Sequence, residues 1–513
     1  MLNMMDKAVA GKRRYLAIQK VRERSSTGLA EGCSHTTLKR KTRKQFTQLA
    51  MAWIMLGLIA IALAVLPASS ASAAPAGLTS SEVSFRANGG VTLHGTVVAP
   101  AAEVEGRPAI VMLSGAGPVK REELQAEAEA YARHGIVSLI YDKRTVGYSM
   151  LHRDYSVLAD DALAGVQVLR GRDEVDPARI GIWGQSEGAW VAPLAASRSA
   201  DVAFVITVGA IGVTPARQQA WAYGEHLGHA GVSGSLLHTM QVTGIRQLVG
   251  AGLFAEANYD PVPVWERVHQ PVLALWGTLD REAVPEESSQ IIQRALQRGG
   301  NTHYTIRFIS GARHNLNRTF DDGFDRPDIL IPSYGAQESS WVNDLAHGLP
   351  TASAEPAPHQ DQHSSALAPL AWYESRWVQL GAFVMFTVGF GGYPLTAGVR
   401  WIRGRRDTTP AQRSARWLVV TSLATVLGFV VYFLFMVVTA ANLVGPVFVG
   451  RPVPWLVLQL LAVNVVVATI ATAGAWRRHR HEVTGGSRVR LGLLLAAGVV
   501  FVPWAAYWGL LIP

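Results

Sequence analysis

The sequence contains a single cysteine among 513 residues, Cys33, which lies in a basic segment near the start of the chain. One thiol cannot form a disulfide within the chain, and a structural zinc site built from several cysteines is excluded. Ionisable side chains are absent from four apolar stretches, at residues 377–399, 418–444, 453–476 and 491–512. Each stretch is long enough to cross a hydrocarbon layer of ~30 Å as a helix. Because no ionisable group lies inside these stretches, an ion pathway is not indicated.

The first part of the chain has the pattern of an export signal. Residues 1–47 carry 12 Lys or Arg against 3 acidic residues, and residues 49–66 carry no charge over 18 positions. Ala71-Ser72-Ala73 follows, with the small-x-small form of a signal-peptidase site. We therefore predict a basic cytoplasmic segment at 1–47 and either a cleaved signal peptide or a retained signal anchor at 48–74. Both alternatives export the residues that follow.

The loops between the apolar stretches predict the orientation in the membrane. Loop 400–416 contains six Arg and loop 477–490 contains five, whereas 442–452 contains only Arg451. Since Lys and Arg near membrane spans are retained in the cytoplasm, residues 74–375 are expected outside and both Arg-rich loops inside. The net charge of +9 then reflects these cytoplasmic segments. A nucleic-acid partner is not indicated.

Between residues 80 and 347 short strands alternate with helical stretches. A hairpin is predicted at 82–98, followed by strands at 109–115, 136–142, 179–184, 202–209, 271–277 and 303–309. Runs of β-branched residues that alternate with helices indicate a mostly parallel sheet covered on both faces, and hence an α/β fold. Residues 210–268 interrupt this pattern and predict a helical cap. Residues 348–375 are expected to form a linker to a four-helix membrane region at 376–513.

Residues 184–188, Gly-Gln-Ser-Glu-Gly, form a G-x-S-x-G pattern between a predicted strand and a predicted helix. This pattern holds a serine on a sharp turn, because glycines two residues away on either side let the backbone pass without a Cβ clash. In a chain with 49 glycines the pattern alone is weak evidence, and an ordinary serine in a small-residue loop is the alternative. The position between a strand and a helix favours Ser186 as a nucleophile.

A serine nucleophile needs a histidine base and a carboxylate that orients it, which in this arrangement follow later strands in the order Ser, acid, His. Asp280 follows the predicted strand at 271–277, and His314 follows the one at 303–309. Glu282 or Glu286 can also supply the acid, with Asp280 then capping the helix that begins near residue 285. Asp280 is favoured because it lies in the turn directly after the strand, where the acid must contact the histidine.

Two backbone amides are expected to bind the oxyanion that forms during acyl transfer. One belongs to the residue after the nucleophile, Glu187, and the other is assigned to Ala116 in the loop after the third strand. Gly115 and Gly117, on either side of Ala116, also fit as plain turn glycines.

Five segments resemble, in this order, exported bacterial α/β-hydrolases of the dienelactone hydrolase, prolyl oligopeptidase and bile-acid acyltransferase C-terminal types. The resemblance covers about residues 81–347 and implies the triad Ser186, Asp280 and His314, with hydrolysis of an ester, thioester or amide. Thr145 and Ala189 stand where the family usually has glycine. The four C-terminal spans lie outside the resemblance. The segments are LSGAGPVKRE (113–122), YDKRTVGYS (141–149), IGIWGQSEGAWVAPLAA (180–196), PVLALWGTLDREAVP (271–285) and ISGARHNLNR (309–318).

The sequence thus predicts a multi-pass, membrane-anchored serine hydrolase of carboxylesterase type, with its α/β-hydrolase domain outside the cytoplasm. The expected substrate is a small-molecule or lipid-like acyl compound, and neither a metal nor an organic cofactor is expected. A serine peptidase that cleaves amides is one alternative. A non-catalytic membrane sensor with a hydrolase-like binding domain is another, although a pure binding domain does not need all three triad groups.

Overall fold

The computed structural model describes residues 77–404, 411–483 and 485–513, so the predicted basic segment and signal or anchor lie outside the described residues. The first described element is an antiparallel hairpin of β1 (Leu78–Arg86) and β2 (Thr92–Pro100). Its connection contains Gly89 and Gly90, both at positive φ, a conformation that glycine adopts without a Cβ clash. This is the hairpin predicted from the sequence.

The hairpin forms one edge of a nine-stranded sheet with the order β1-β2-β4-β3-β5-β6-β7-β8-β9. The β2–β4 pair is antiparallel, and all pairs from β4–β3 through β8–β9 are parallel. The predicted mostly parallel α/β sheet is therefore confirmed. The other strands are β3 (Arg107–Leu113), β4 (Val137–Tyr141), β5 (Val175–Gln185), β6 (Phe204–Val208), β7 (Val272–Gly277), β8 (Tyr304–Ile309) and β9 (Ser353–Ala354).

Helices cover both faces of the sheet, which is why the central strands carry apolar side chains on both faces. In β3, Ile110 and Met112 belong to the apolar cluster on one face, whereas Ala109 and Val111 belong to the cluster on the other. The helices of this domain are α1 (Gln125–Arg133), α2 (Tyr155–Arg170), α3 (Gly188–Ala196), α4 (Pro215–His229), α5 (Ser235–His238), α6 (Ile245–Ala251), α7 (Val262–Trp265), α8 (Pro285–Arg298) and α9 (Ala336–Asp344). Helices α4 to α7 occupy the region of the predicted cap, between β6 and β7.

The segment predicted as a linker is in contact with the domain over much of its length. Its two-residue strand β9 pairs with β8, and a bond from Glu355 N to Ile306 O continues this pairing. Further along, Ser364 accepts a hydrogen bond from Arg217 of α4. The low-complexity composition gave no sign of these contacts, because a two-residue strand has no readable periodicity.

Four helical segments after the linker are long and apolar enough to cross a membrane: Arg376–Ile402, Gln412–Val438, Val453–Arg478 and Gly485–Tyr507. The first consists of α10 (Arg376–Phe386) and α11 (Gly392–Ile402) joined through a π-helical turn, and the others are α12, α13 and α14. Helix α12 ends six residues before the predicted apolar stretch does, because Ala440 and Ala441 adopt positive φ and stop the helix.

The cap packs against one end of the bundle that these four candidate membrane helices form. Ser235 Oγ of α5 accepts a hydrogen bond from Trp455 Nε1 near the start of α13, at 3.2 Å. Thr239 Oγ1 donates to Trp508 O just beyond the end of α14, at 3.0 Å. Gly244 packs so closely on Phe433 of α12 that a Cβ at this position would lie 2.6 Å from the ring. The helix ends that flank the Arg-rich segments, at Ile402, Gln412, Arg478 and Gly485, lie at the other end of the bundle from the hydrolase domain.

Candidate active site

Ser186 lies on a sharp turn between β5 and α3, at φ 54°. Such a φ is strained for a residue with a side chain, and strain of this kind persists where the surroundings fix the backbone. A Cβ on Gly184 would lie 2.2 Å from Gly188 O, and one on Gly188 would lie 2.3 Å from Leu113 O. Both glycines of the motif are therefore required by close backbone approach, as the nucleophile interpretation predicts.

His314 and Asp280 form a buried pair beside this turn. His314 Nδ1 lies 2.9 Å from Asp280 Oδ2, and Asp280 is only 2% exposed. The second carboxylate oxygen, Oδ1, accepts from the backbone N–H groups of Glu282 at 2.8 Å and Ala283 at 2.9 Å. Both oxygens are thus held, which fixes the orientation of the carboxylate relative to the imidazole.

The two alternative acids have other partners. Glu282 Oε1 lies 2.9 Å from His226 Nε2 and 2.6 Å from the Arg326 guanidinium. Burial alone would raise the pKa of Glu282, but the hydrogen bond to His226 and the charges of His226 and Arg326 lower it to about 2. Glu286 accepts from the backbone N–H of Gln360. Neither side chain hydrogen-bonds to the His314 imidazole, whereas Asp280 does.

Ser186 and His314 line the same cavity of about 630 Å³. No hydrogen bond joins Ser186 Oγ to the imidazole within the part of the chain that the structure describes, and such bonds are often long before a substrate binds. The cavity is also lined by Phe254 of the cap and by Ala440, two residues beyond the end of α12. One wall of the cavity is therefore supplied by the end of the membrane bundle.

The predicted oxyanion donors line this cavity as well. Ala116 and Glu187 both border it, and their backbone N–H groups donate to no protein acceptor among the described residues. The N–H of Gly117, in contrast, donates to the Tyr148 hydroxyl at 2.9 Å. In this loop the Ala116 amide is thus available to a ligand and the Gly117 amide is not.

From the sequence Glu187 is predicted to contribute only its backbone amide, but in the structure its side chain is the centre of a buried network. The side chain is 1% exposed, and its oxygens accept from Lys143 Nζ at 2.9 Å, Tyr148 Oη at 2.6 Å and the Arg153 guanidinium at 2.9 Å. The only local signal was an acidic residue directly after the nucleophile and a lysine in YDKR. Neither signal identifies the other as its partner.

No group of three or more His, Cys, Asp or Glu side chains is placed to hold a metal ion within residues 77–404, 411–483 and 485–513.

The geometry predicts the pH dependence of any reaction in which His314 acts as the base. Burial alone would lower the pKa of His314, but the charge and hydrogen bond of Asp280 outweigh it, so that the pKa is raised above the usual 6.5. Only the neutral imidazole accepts a proton, so kcat/KM should fall as the pH drops through this raised pKa. The pH profile of kcat/KM for a soluble ester measures it, and an acid limb centred at or below 6.5 would contradict the assignment.

Parts of the chain are similar to known proteins. Residues 151–326, which include Ser186, Asp280 and His314, match the model of the prolyl oligopeptidase family. A thiohydrolase from Aspergillus aculeatus is 33% identical over 134 residues, which are 25% of this chain and 41% of that protein. A polyketide transferase from Penicillium crustosum is 31% identical over 135 residues, 25% of this chain and 44% of that protein. The chain thus spans less than half the length of these curated relatives.

Solved structures with a similar fold include two hydrolases. The 2,6-dihydroxy-pseudo-oxynicotine hydrolase has a TM-score of 0.40 and 17% identity, over 55% of this chain and 72% of that one. A putative dienelactone hydrolase from Klebsiella pneumoniae has a TM-score of 0.36 and 14% identity, over 52% of this chain and 97% of that one.

The family match covers the Ser186 turn, the cap and the loops that carry Asp280 and His314, whereas β3, β4 and the loop 114–117 lie outside it. The described domain has an α/β-hydrolase fold, and residues 151–326 within it match a family of serine hydrolases.

Proposed function

We propose that this chain is a membrane-anchored, extracytoplasmic serine hydrolase that cleaves carboxylic ester or thioester bonds. The observation that carries the proposal is the buried Asp280–His314 pair bordering the cavity into which the strained Ser186 turn opens. A serine on such a turn, a histidine and a fixed carboxylate are the three groups that acyl transfer requires.

In the proposed reaction Ser186 Oγ attacks the acyl carbonyl carbon, and His314 Nε2 takes the hydroxyl proton. Asp280 stabilises the imidazolium through Nδ1–H, while the amides of Ala116 and Glu187 donate to the negative carbonyl oxygen. His314 then gives its proton to the leaving alcohol or thiol. A water molecule, deprotonated by the same histidine, then attacks the acyl carbonyl carbon. The bond to Ser186 Oγ breaks as His314 returns the proton to that oxygen, which releases the acid and restores the enzyme.

Ester or thioester cleavage is preferred because the curated relatives include a thiohydrolase and a polyketide transferase. The match to a peptidase family favours amide hydrolysis as the second candidate. A screen of the full chain in detergent against acyl esters of increasing chain length, acyl thioesters and aminoacyl amides separates them. We expect turnover of esters and thioesters to exceed turnover of amides. Preferential amide cleavage would establish the peptidase alternative.

The position of the cavity supports a lipid-like acyl substrate. Ala440 in the cavity wall lies two residues after the end of a candidate membrane helix, and Phe254 in the same wall packs against the apolar cluster that the cap and the bundle share. A substrate that partitions into the outer leaflet would be close to this wall. Longer acyl chains should therefore be cleaved with lower KM than acetate esters.

The orientation of the chain is open to a separate test. The hydrolase domain packs on the ends of the bundle opposite the Arg-rich loops, and those loops are expected in the cytoplasm. Alkaline phosphatase fused after Gly348 should therefore be active, and the same enzyme fused within residues 403–413 should be inactive. The reverse pattern would place the hydrolase domain in the cytoplasm.

A further inference from the structure

The carboxylate of Glu187 connects the two segments that carry the proposed oxyanion donors. Glu187 itself supplies one amide, and the loop 114–117 supplies the other through Ala116. Lys143 and Tyr148 each bind the Glu187 carboxylate and also this loop. Since both contacts are side-chain hydrogen bonds in a buried region, they fix the loop relative to the turn that holds Ser186.

Lys143 orients the loop through its ammonium group. The three N–H donors of this group are directed to Glu187 Oε1 at 2.9 Å, to Ser114 O at 3.3 Å and to Gly115 O. In a trans peptide the carbonyl and the following N–H point in opposite directions. Because Lys143 Nζ donates a hydrogen bond to Gly115 O, the N–H of Ala116 points away from the lysine. It therefore lies on the side of the loop from which a bound carbonyl oxygen can accept it.

Tyr148 holds the other end of the loop. Its hydroxyl accepts from Gly117 N at 2.9 Å and donates to Glu187 Oε1 at 2.6 Å. Because the Gly117 N–H is bonded to Tyr148, it is not available to a ligand in the cavity. The N–H of Ala116 is therefore left as the donor. The position of Tyr148 is in turn stabilised by Lys143 Nζ, which lies 5.1 Å from the centre of its ring.

The network also carries a net positive charge. Lys143 and Arg153 are both paired with the single carboxylate of Glu187, and all three side chains are at most 8% exposed. These three side chains together carry one excess positive charge, and the carboxylate of Glu123, which lines the cavity, is a further acidic group that acts on Lys143. An excess positive charge close to the oxyanion favours a negatively charged transition state over a neutral bound substrate.

We infer that Glu187, Lys143, Tyr148 and Arg153 are positioning residues that set the geometry and charge of the oxyanion hole. This inference rests on the proposed function, since it concerns the stabilisation of a tetrahedral intermediate formed at Ser186. These four side chains act through the amides of Ala116 and Glu187 and not by touching the reacting atoms.

The test compares ground-state binding with transition-state binding in Tyr148→Phe and Lys143→Met. The loss of a complete oxyanion donor costs roughly 10²- to 10³-fold in kcat, so a misplaced donor should lower kcat about 10- to 100-fold while KM changes little. The inhibition constant of a trifluoromethyl ketone, which forms a tetrahedral adduct with the serine, should rise by the same factor as kcat/KM falls. The inhibition constant of a non-reactive amide analogue should stay unchanged.

Asp161→Asn provides the matched control. It breaks the buried Arg144–Asp161 pair, in which Arg144 follows Lys143 directly but bonds neither Glu187 nor loop 114–117. This variant should lower the melting temperature and leave trifluoromethyl ketone binding unchanged.

Wild-type affinity of Tyr148→Phe and Lys143→Met for the ketone would overturn the inference, and so would an equal loss in Asp161→Asn. Failure of the wild-type protein to hydrolyse any acyl substrate would instead count against the proposed function itself.

Discussion

Replacing Ser186 by alanine is expected to lower kcat by about 10⁶-fold and to abolish covalent labelling by a fluorophosphonate probe. The residue lies at φ 54° on a turn whose neighbouring glycines contact backbone atoms, so its hydroxyl has a fixed position at the cavity. Alanine fits the same turn without a new clash. The loss should therefore be chemical, with a melting temperature close to that of the wild type.

Ser114→Ala is the matched control for this experiment. Ser114 lines the same cavity and is 7% exposed, but only its backbone carbonyl takes part in a hydrogen bond of the site. The Ser114→Ala variant should keep both labelling and turnover. Turnover retained in Ser186→Ala would point to another nucleophile, and absence of turnover and labelling in the wild type would favour the non-catalytic sensor.

Asp280→Asn is expected to lower kcat by up to about 10⁴-fold. The asparagine can still accept the two backbone N–H bonds that Asp280 Oδ1 accepts now. Its amide NH₂ group would then face His314 Nδ1 and impose the tautomer in which Nε2 carries the proton and cannot act as a base. The negative charge that raises the pKa of His314 is lost as well. Steady-state kinetics on a soluble ester, together with a thermal melt, measure the effect.

Glu282→Gln tests one of the two alternatives to Asp280 that the sequence allowed. Glu282 also borders the cavity, but its carboxylate is bound to His226 and Arg326. Its substitution should change kcat far less than Asp280→Asn does. If Glu282→Gln is the more damaging change, the assignment of the acid to Asp280 is wrong.

The nucleophile turn was predictable because its evidence is local. The five residues 184–188 include the two glycines that allow close backbone approach. The strand before them and the helix after them can be predicted from the pattern of apolar residues. Asp280 and His314 were predictable from strand order, since the ends of parallel strands meet at one edge of the sheet. The sequence favoured Asp280 over Glu282 only from its position in the turn, because two residues in one loop differ chiefly in where the loop directs their side chains.

The Glu187 network was not predictable in the same way. Lys143, Tyr148 and Arg153 lie 44, 39 and 34 residues from Glu187, on a loop whose conformation has no periodic signal. The packing of the cap against the four candidate membrane helices was also not predicted from the sequence. Its polar contacts, such as Ser235 with Trp455, join residues that look unremarkable in the sequence and are 220 positions apart.

The contact between the cap and the bundle has a consequence for the order in which the protein is made. Thr239 precedes Trp508, its partner across this contact, by 269 residues. At a synthesis rate of about 5 to 20 residues per second, the cap would wait roughly 15 to 50 s for that partner after leaving the ribosome. Throughout this interval the apolar cap residues Leu236, Met240 and Ile245, which pack with the bundle residues in the finished fold, remain uncovered. With the membrane orientation proposed above, maturation should therefore depend on membrane insertion keeping pace with translation, and on a chaperone at the exit side of the translocon when it does not.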